Sequence, residues 1–436
     1  MYSFYSVLVL AIVVVASPWF VYQALRYQKY VGSLGQRMGY LPVSFNMDGD
    51  ESIWIHAVSV GEVLTARPLI SDLKRRHPGL RMFLSTTTLA GQQLARRSVQ
   101  DVDAVFYFPF DLGIFVRRTL DLVRPRLFIM METEIWPNLY AAAAGRGTRL
   151  FLVNARMSAK SAGGYARLGR LTRVTLQHLT AIAAQTEADA ARLADLGAER
   201  ITVCGNLKFD VDPPADTAAR AAELRALFGN RRAWVAASTR EAEGDSEEAM
   251  IVDAWLERSE KLGADPNYSS DSAHPLLVIV PRHPQRFDAV AAMLAARGVR
   301  FVRRSEGQSA GADTQIVLGD SMGEMAAYYA AADLAFIGGS LLPLGGQNLI
   351  EAAAAGCPVL IGPHSFNFEA ATEAALAAGA AVRVTDADAL AEEVTALLAE
   401  PARLDAMRDS GRAFAAQHRG ATARILAVLE TTLRKC

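Results

Sequence analysis

The stretch IWIHAVSVGEVLTARPLISDLKRRH, residues 53–77, sets a pattern that the rest of the chain repeats. Its first six residues are mostly apolar, which is typical of a strand buried on both faces of a parallel sheet. A glycine-containing turn, SVGE, follows, and apolar side chains at helical spacing then predict a helix from Val63. Strand, turn and helix in this order indicate a βαβ unit.

Apolar runs of the same kind recur along the chain and alternate with amphipathic stretches. They are RMFLST, AVFYFP, LFIMM, LFLVNA, AIAAQ and ITVCG, and then AWVAAS, LLVIVP, VRFVRR, QIVLGD, LAFIGG, PVLIGP and AAVRV. The alternation predicts two doubly wound, Rossmann-like α/β domains that face each other across a cleft. Such domains bind ligands beyond the carboxyl ends of their strands, so the residues there are the candidates for function.

Composition divides the chain into four predicted parts. Residues 1–25 carry no charged side chain, and because about 20 apolar residues span a bilayer, they are predicted to form a transmembrane anchor. Residues 26–50 are predicted to be a linker, residues 51–225 the N-terminal domain and residues 226–436 the C-terminal domain. Residues 259–275 are polar and rich in turn formers, which predicts a surface loop.

Charge indicates where the domains lie. Arg26, Lys29 and Arg37 follow the apolar segment, so the positive-inside rule places the rest of the chain in the cytoplasm and the short N-terminus outside. A cleaved signal peptide is the alternative, but its charged leading segment is missing.

The two halves of the chain differ in charge. Up to residue 225 there are 26 Lys and Arg against 19 Asp and Glu, and after residue 225 there are 19 Lys and Arg against 27 Asp and Glu. The basic half favours anionic lipid as a partner, with solvated helix faces as the alternative.

Several common sites are absent from the sequence. It contains no GxxxxGK[ST] loop, no HExxH and no strand followed by GxGxxG, which argues against P-loop nucleotidases, zinc proteases and ordinary dinucleotide dehydrogenases. Cys204, Cys357 and Cys436 are scattered, so they give neither zinc-site spacing nor a disulfide framework. The remaining candidates are polar residues at the strand ends.

Strand ends in the first half carry residues suited to acid–base or electrostatic catalysis. Glu62 of SVGE could accept a proton, although a helix N-terminus lowers a carboxyl pKa, and stabilisation of the helix is the alternative. Glu132 and Glu134 follow LFIMM, where they could stabilise a transition state or pair with an arginine. Lys208 of GNLKFD could neutralise an anion, or be a surface lysine.

The strand ends in the second half of the chain carry residues that could bind a nucleotide. VPRHP places Arg282 after a strand, and a guanidinium fork binds phosphate well. In GDSMGE, Gly323 would let backbone amides approach a ligand. In GGQNLIEA a helix is predicted from Gln347, so Asn348 and Glu351 would share its first turn and face a phosphate or a ribose. A capped helix with no ligand is the alternative.

Seven blocks, in order, resemble the Kdo transferases, the 3-deoxy-D-manno-octulosonic acid transferases of lipopolysaccharide biosynthesis. The blocks are SVGE, METEIWPN, NARMSAKS, GNLKFD, PRHPQRF, GDSMGE and GGSLLPLGGQNLIEAAAAGCPVLIGPHSFNF. The resemblance covers nearly the whole chain, and it implies a GT-B glycosyltransferase that uses no metal and no cofactor. Its implied reaction moves Kdo from CMP-Kdo to the lipid A precursor, lipid IVA, with inversion at the anomeric carbon.

The resemblance also implies roles for individual residues. Glu62 would be the base that deprotonates the acceptor hydroxyl, and Glu132 and Lys208 would stabilise the transition state. The residues that would bind CMP are Pro281, Arg282, Met322, Gly323, Glu324, Asn348, Leu349, Ile350 and Glu351. The implied partners are CMP-Kdo, the lipid A precursor and the inner membrane, with no nucleic acid among them.

One departure and one open question remain. Many family members have Gly-Gly-His-Asn where this chain has Gln347, so an amide replaces an imidazole there. The carboxylate of Kdo needs a basic partner, for which Arg156 and Lys160 are candidates. Two other functions stay open: a transferase or epimerase of the same architecture that uses UDP-sugars, and a membrane-tethered protein that binds a nucleotide without turnover.

Overall fold

The computed structural model describes residues 2–27, 31–263 and 274–434, which fall into two compact units. The first unit comprises Met1–Val211 and Arg419–Cys436, and the second comprises Asp212–His418. The division therefore differs from the predicted boundary at residue 225 and from a C-terminal domain that runs to residue 436. The cleft predicted between the domains stays a prediction.

The first unit is built on a seven-stranded sheet whose paired strands are all parallel, in the order β3-β2-β1-β4-β5-β6-β7. The order changes direction between β1 and β4, which is the switch point of a doubly wound fold. The strands are β1 Ser52–His56, β2 Arg81–Thr86, β3 Ala104–Tyr107, β4 Pro125–Met131, β5 Arg149–Ala155, β6 Ala181–Ala184 and β7 Ile201–Val203.

Helices connect these strands and cover both faces of the sheet. They are α1 Tyr2–Tyr27, α2 Val31–Arg37, α3 Val60–Arg76, α4 Leu89–Ser98, α5 Gly113–Val123, α6 Pro137–Ala144, α7 Ala159–Arg167, α8 Arg170–Gln177 and α9 Glu187–Asp195. Strand β1 shows the two-sided burial, because Ile53 and Ile55 belong to one apolar cluster while Trp54 belongs to another. The almost continuous apolar run therefore reflects a central strand.

Residues 1–50 differ from the sequence prediction. Helix α1 occupies the segment predicted to be an anchor, but within the described ranges no helix combines the length and the apolarity needed to cross a membrane. The transmembrane part of the prediction is therefore not supported. The start of α1 is bonded to its own unit, because the Tyr2 hydroxyl lies 2.8 Å from Nε2 of His178. The predicted linker contains α2 and a short 3₁₀ turn, Val43–Phe45.

The second unit has its own seven-stranded sheet with parallel pairing, in the order β12-β13-β11-β8-β14-β15-β16. A two-stranded antiparallel hairpin, β9-β10, follows β8. The strands are β8 Ala233–Thr239, β9 Glu241–Ala242, β10 Asp245–Ser246, β11 Leu276–Pro281, β12 Phe301–Arg303, β13 Ile316–Leu318, β14 Leu334–Ile337, β15 Val359–Ile361 and β16 Ala381–Arg383. The repeated alternation in the second half of the sequence thus predicted a second parallel sheet correctly.

The helices of the second unit are α10 Thr217–Phe228, α11 Glu247–Gly263, α12 Phe287–Ala296, α13 Met325–Ala331, α14 Ile350–Ala354, α15 Glu369–Ala377, α16 Ala387–Ala399 and α17 Pro401–His418. The loop prediction for residues 259–275 is wrong at its start, because α11 continues to Gly263. Residues 264–273 lie outside the described part of the chain.

The last helix, α18 Ala421–Arg434, belongs to the first unit although it follows the second unit in sequence. Its side chains Ile425, Leu426 and Leu429 are almost fully buried, and they pack in the same apolar cluster as Ile53 of β1. Burial of such side chains contributes about 1.5–3 kcal/mol each, so this helix is part of the core of the first unit.

Candidate active site

In the first unit, Glu62 lies at the carboxyl end of β1, in the first turn of α3. The helix begins at Val60, not at the predicted Val63, with Ser59 at the N-cap position. The Ser59 side chain makes no capping bond to the backbone; its hydroxyl donates instead to Oε1 of Glu62 at 3.2 Å. Oε2 accepts the backbone N–H of Val58 at 2.9 Å. The carboxylate is thus held over the turn that connects strand and helix.

The pKa of Glu62 is raised to about 8, chiefly by burial and then by the nearby carboxylate of Glu132. Hydrogen bonds from Val58 and Ser59 oppose the shift. The sequence-based expectation was that the helix N-terminus would lower this pKa. That expectation is wrong, because removal from water disfavours the charged form more than the helix end favours it. A carboxylate with a pKa near 8 is a far stronger base than an ordinary one.

Glu132 and Lys208 meet in the first unit although they lie far apart in sequence. Glu132 directly follows β4 with a φ of 56°, and its N–H donates to the Val153 carbonyl at 3.0 Å. Lys208 belongs to the 3₁₀ turn Leu207–Asp210, which follows β7, and its Nζ lies 3.4 Å from Oε1 of Glu132. Each side chain is about one-fifth exposed. Glu132 therefore pairs with a lysine rather than with an arginine.

The turn that carries Lys208 is itself fixed by two asparagines. Oδ1 of Asn206 accepts the N–H of Lys208 at 3.0 Å. Oδ1 of Asn154, a fully buried residue, accepts the N–H of Leu207 at 2.9 Å. Asn154 has a φ of 52° at the end of β5, a conformation that asparagine tolerates better than most residues. These bonds limit the positions that the ammonium group can reach.

His56, for which the sequence analysis predicted no role, and Glu134, the second of the two carboxylates that follow β4, complete this cluster. His56 is fully buried, and its Nδ1 lies 3.0 Å from the Ser85 carbonyl oxygen. Nδ1 also lies 2.9 Å from the Ser85 hydroxyl, which can donate or accept. A hydrogen on Nδ1 satisfies the carbonyl, which only accepts, and leaves Nε2 as an acceptor. Nε2 has no hydrogen-bond partner and lies 3.8 Å from Oε2 of Glu134, beyond hydrogen-bond distance. A proton on Glu134 would therefore face an acceptor that has no other donor.

The direction of the two pKa shifts agrees with that geometry. Burial lowers the pKa of His56 to about 3, so the ring does not readily take a second proton. Burial raises the pKa of Glu134, against a hydrogen bond from Trp136. The sequence carried a signal for His56, since a lone histidine interrupts the otherwise apolar run IWIHAV just before SVGE.

In the second unit, the predicted nucleotide-side residues follow β11, β13 and β14. Pro281 ends β11, and the N–H of Arg282 donates to the Thr239 carbonyl at 2.9 Å. Gly323 has a φ of 81°, which explains the glycine, and a side chain added there would meet open space. Met322 is 59% exposed. The backbone of this turn is therefore accessible.

Glu324 is engaged within the second unit. It lies at the N-cap position of α13, and Oε1 is 3.3 Å from Arg304 and 3.5 Å from Arg220. The Ser321 hydroxyl donates to its other carboxylate oxygen. The carboxylate is almost buried, so it fixes the turn and leaves the backbone of the turn to meet a ligand.

GGQNLIEA differs from the prediction, because α14 begins at Ile350 and has only five residues. Asn348 therefore precedes the helix, yet its Nδ2 donates to Oε1 of Glu351 at 2.8 Å. Leu349 and Ile350 are buried, so their side chains belong to the core. Burial raises the pKa of Glu351, and the hydrogen bond from Asn348 and the positive charge of Arg282 act against this shift. The structure thus joins Asn348 to Glu351 directly, and Arg282 acts on Glu351 through its charge.

Within residues 2–27, 31–263 and 274–434, no group of three or more His, Cys, Asp and Glu side chains is arranged to hold a metal ion. The candidate residues therefore form two groups, an acidic cluster with a lysine in the first unit and a set of strand-end residues in the second.

Two family descriptions match the chain. Residues 32–211 match the family described as 3-deoxy-D-manno-octulosonic-acid transferase (kdotransferase), and residues 300–414 match glycosyl transferases group 1. The first region contains Glu62, Glu132 and Lys208, and the second contains the residues from Met322 to Glu351. The two matches thus fall in different units.

Similar proteins agree with the first description. A 3-deoxy-D-manno-octulosonic acid transferase of Bordetella pertussis is 44% identical over 391 residues, which cover 87% of each chain. The protein of the same name from Haemophilus influenzae is 34% identical over 93% of each chain. Identity at this level over most of both chains extends through both units.

Solved structures of similar architecture add information about the fold alone. A putative UDP-N-acetylglucosamine 2-epimerase from Listeria monocytogenes matches with a TM-score of 0.59 at 15% identity, over 88% of this chain and 97% of that one. The UDP-GlcNAc 2-epimerase of Neisseria meningitidis matches with a TM-score of 0.57 at 14% identity, over 87% and 100%. With two Rossmann-like units on parallel sheets, the chain has the GT-B fold.

Proposed function

This chain belongs to the 3-deoxy-D-manno-octulosonic acid (Kdo) transferase family and is a glycosyltransferase, and from this premise we propose that it moves Kdo from CMP-Kdo to lipid IVA with inversion. In this reaction the acceptor oxygen forms a bond to the anomeric carbon, and the bond from that carbon to the CMP phosphate breaks. The acceptor hydroxyl loses a proton, and CMP leaves with the electron pair. The observation that carries the proposal is Glu62, a half-buried carboxylate with a raised pKa.

Glu62 is proposed to take the proton from the acceptor hydroxyl. Its two oxygens are oriented by Val58 and Ser59, so the carboxylate does not need to be reorganised during the reaction. A general base that is well placed contributes roughly 10²- to 10⁴-fold to a rate. The base must be ionised to act, and the pKa of about 8 places that ionisation near neutrality.

Lys208 and Glu132 are proposed to stabilise charge in the transition state. The ammonium group of Lys208 can neutralise the negative charge that develops as the phosphate leaves. Glu132 holds that ammonium group at 3.4 Å, and its own negative charge favours the positive charge that develops at the anomeric carbon. Both side chains are only partly exposed, so these interactions are screened less than on an open surface.

CMP is proposed to bind at the strand ends of the second unit. Arg282 would take the phosphate, and the exposed turn at Met322 and Gly323 would offer backbone amides. Asn348 and Glu351, joined by a hydrogen bond, present polar atoms for the ribose or the base. The position of all these residues beyond the carboxyl ends of strands in one parallel sheet supports the proposal.

The acceptor is proposed to be reached at the cytoplasmic face of the inner membrane. The residues up to 225 carry 26 Lys and Arg against 19 Asp and Glu, which suits a phosphorylated lipid. Exposed apolar side chains of α1, among them Phe4, Val7 and Val15, suit contact with a lipid surface. Flotation of the full-length chain with vesicles that contain anionic lipid tests this part, since retention in the unbound fraction would contradict it.

Nucleotide specificity tests the donor. A ligand that binds only the folded state raises the melting temperature. At a ligand concentration one hundred times the dissociation constant, the free energy of unfolding increases by about 2.7 kcal/mol. CMP is therefore expected to raise the melting temperature of the chain, whereas UDP at the same concentration is expected to leave it unchanged. Protection by UDP rather than CMP would favour a UDP-sugar enzyme of the same fold.

A further inference from the structure

Arg240 and Arg282 stand beside each other at one edge of the second sheet. Arg240 follows β8 and Arg282 follows β11, and these strands are paired up to Thr239 and Pro281. The N–H of Arg282 donates to the Thr239 carbonyl at 2.9 Å, which fixes the two backbones relative to each other. Both guanidinium groups therefore start from the same edge, at the strand ends where this fold binds its ligands.

Among the residues that the structure describes, the side chain of Arg240 makes neither an ion pair nor a hydrogen bond. Arg286, the third arginine at this corner, differs, because it is bonded to Glu241 and Glu248. After burial, Arg240 is the largest cause of the lowered pKa of His283, with Arg282 and Arg286 next. The three arginines thus act together on His283, and Glu241 acts against them.

Glu247 determines where Arg240 lies. This residue is fully buried, and its Oε2 accepts the N–H of Arg240 at 3.0 Å and the N–H of Gly339 at 2.6 Å. Its Oε1 accepts the N–H of Leu341 at 3.0 Å. One carboxylate therefore joins the end of β8 to the turn after β14. The Glu247 carboxylate thus accepts the N–H groups of Gly339 and Leu341 in that turn. These two amides are not available to an anionic ligand, which would therefore bind to side chains.

The absence of a side chain at Gly339 lets Arg240 and Gln347 approach the same place. Gly339 has a φ of 70°, and a methyl group added there would lie 3.2 Å from Nε2 of Gln347 and 3.5 Å from Cδ of Arg240. The Gln347 amide and the Arg240 stem therefore both approach the bare glycine. Gln347 is the position where the chain departs from the Gly-Gly-His-Asn pattern, and its amide can donate two hydrogen bonds without carrying charge.

We propose that Arg240 and Gln347, which both approach Gly339, form a subsite for an anionic group of the sugar-nucleotide donor. The inference rests on the proposed function. A CMP-Kdo donor offers two such groups, the phosphate and the carboxylate of the sugar, and the planar guanidinium fork matches both. Arg282 lies beside the subsite, so the two guanidinium groups bind the anionic part of the donor from neighbouring strands. Glu247 is a positioning residue for this subsite.

Arg240→Gln tests the subsite, with Arg232→Gln as a matched control. Arg232 immediately precedes β8, whereas Arg240 immediately follows it, so the control removes an exposed arginine from the opposite end of the same strand. The measurements are the KM for CMP-Kdo and calorimetric titrations of the full-length chain with CMP and with CMP-Kdo, without acceptor. Arg240→Gln is expected to raise the donor KM on the order of tenfold or more, and Arg232→Gln is expected to leave it unchanged.

The two titrations separate the two anionic groups. Weaker binding of both CMP and CMP-Kdo would assign the phosphate to Arg240, and weaker binding of CMP-Kdo alone would assign the carboxylate. Arg240→Lys keeps the charge but loses the fork, so it is expected to fall between the wild-type chain and Arg240→Gln. Equal melting temperatures of the variants would show that each one folds.

The subsite would be ruled out if Arg240→Gln bound both ligands as tightly as Arg232→Gln and showed the same donor KM. Failure of the proposed function would look different. In that case the wild-type chain would not transfer Kdo at all, whereas the titrations would still report whether Arg240 takes part in binding.

Discussion

The Nζ atom of Lys208 lies 3.4 Å from Oε1 of Glu132, although one residue follows β7 and the other follows β4. The sheet order places both strands on the same side of β1, and parallel strands all end at one edge. Asn154 and Asn206 then fix the turn that carries Lys208. The pair is thus a consequence of topology and of two local hydrogen bonds.

Loss of the Lys208 charge is expected to reduce turnover strongly. Lys208→Met is expected to lower kcat about 10²- to 10³-fold, because the transition state loses a positioned positive charge. CMP affinity should stay unchanged. Lys74→Met is the control, since Lys74 forms a comparable ion pair with Asp103 at 3.1 Å, on the surface. Equal losses in both variants would show that the effect comes from general destabilisation.

The activity of the chain is expected to rise with pH and to level off above about pH 8. Glu62 must be ionised to take a proton, and its pKa is raised to about 8. The pH dependence of kcat/KM for the acceptor, measured from pH 6 to pH 9.5, checks this expectation. A profile that is flat down to pH 5 would mean that Glu62 has an ordinary pKa or is not the base.

The same shift predicts an effect on stability. Between its ordinary pKa and about 8, Glu62 keeps a proton in the folded chain that it releases in the unfolded chain. The stability that this proton contributes is present at low pH and is lost as the pH rises through about 8. Wild-type protein should therefore lose stability relative to Glu62→Gln between pH 5 and pH 9. The difference in melting temperature measures it, and a constant difference would contradict the raised pKa.

Glu134→Gln is expected to keep most of the activity. Oε2 of Glu134 faces both Nε2 of His56 and the indole N–H of Trp136. A glutamine removes the charge, and its amide nitrogen and oxygen can divide these two contacts between them. The charge of Glu134 is one of the causes of the raised pKa of Glu62, so its removal is expected to move the acidic limb of the pH profile to lower pH. A limb that stays where it is in the wild-type chain would show that Glu134 is already protonated in the active enzyme.

The matched control for that variant is Glu134→Ala, which cannot bond His56. It removes the side chain that faces the buried Nε2, so this atom cannot gain a donor there, which costs about 1–3 kcal/mol relative to Glu134→Gln. Its melting temperature is therefore expected to fall below that of Glu134→Gln. Equal stability of the two variants would indicate that no proton is shared between Glu134 and His56.

The sequence predicted both sheets and the strand-end position of Glu62, Glu132 and Lys208, because apolar runs and the turns after them are local signals. Other features depend on burial and on distant contacts. The pKa of Glu62 follows from removal from water, which no spacing reveals. The return of α18 to the first unit depends on Ile425 and its neighbours, whose pattern suits any amphipathic helix.

Helix starts were less predictable than strands. Because SVGE contains a glycine, it was interpreted as a turn, and α3 was predicted to begin after it. The helix begins at Val60 and includes this glycine. In GGQNLIEA, the Asn348 side chain bonds both Ile350 and Glu351, and this local turn takes the place of the first helical residues. Polar side chains that bond nearby backbone compete with helix formation, so Asn348 lies outside the helix that the pattern favoured.

The central claim, that Glu62 drives Kdo transfer from CMP-Kdo to lipid IVA, is tested most directly by mass spectrometry of the lipid product. Full-length wild-type protein and Glu62→Gln would each be incubated with both substrates. We predict that lipid IVA gains the mass of Kdo with the wild-type chain, and that Glu62→Gln gives at least about 10²-fold less product while it still binds CMP. Wild-type levels of product from Glu62→Gln would contradict the role of Glu62, and unmodified lipid IVA with the wild-type chain would contradict the reaction itself.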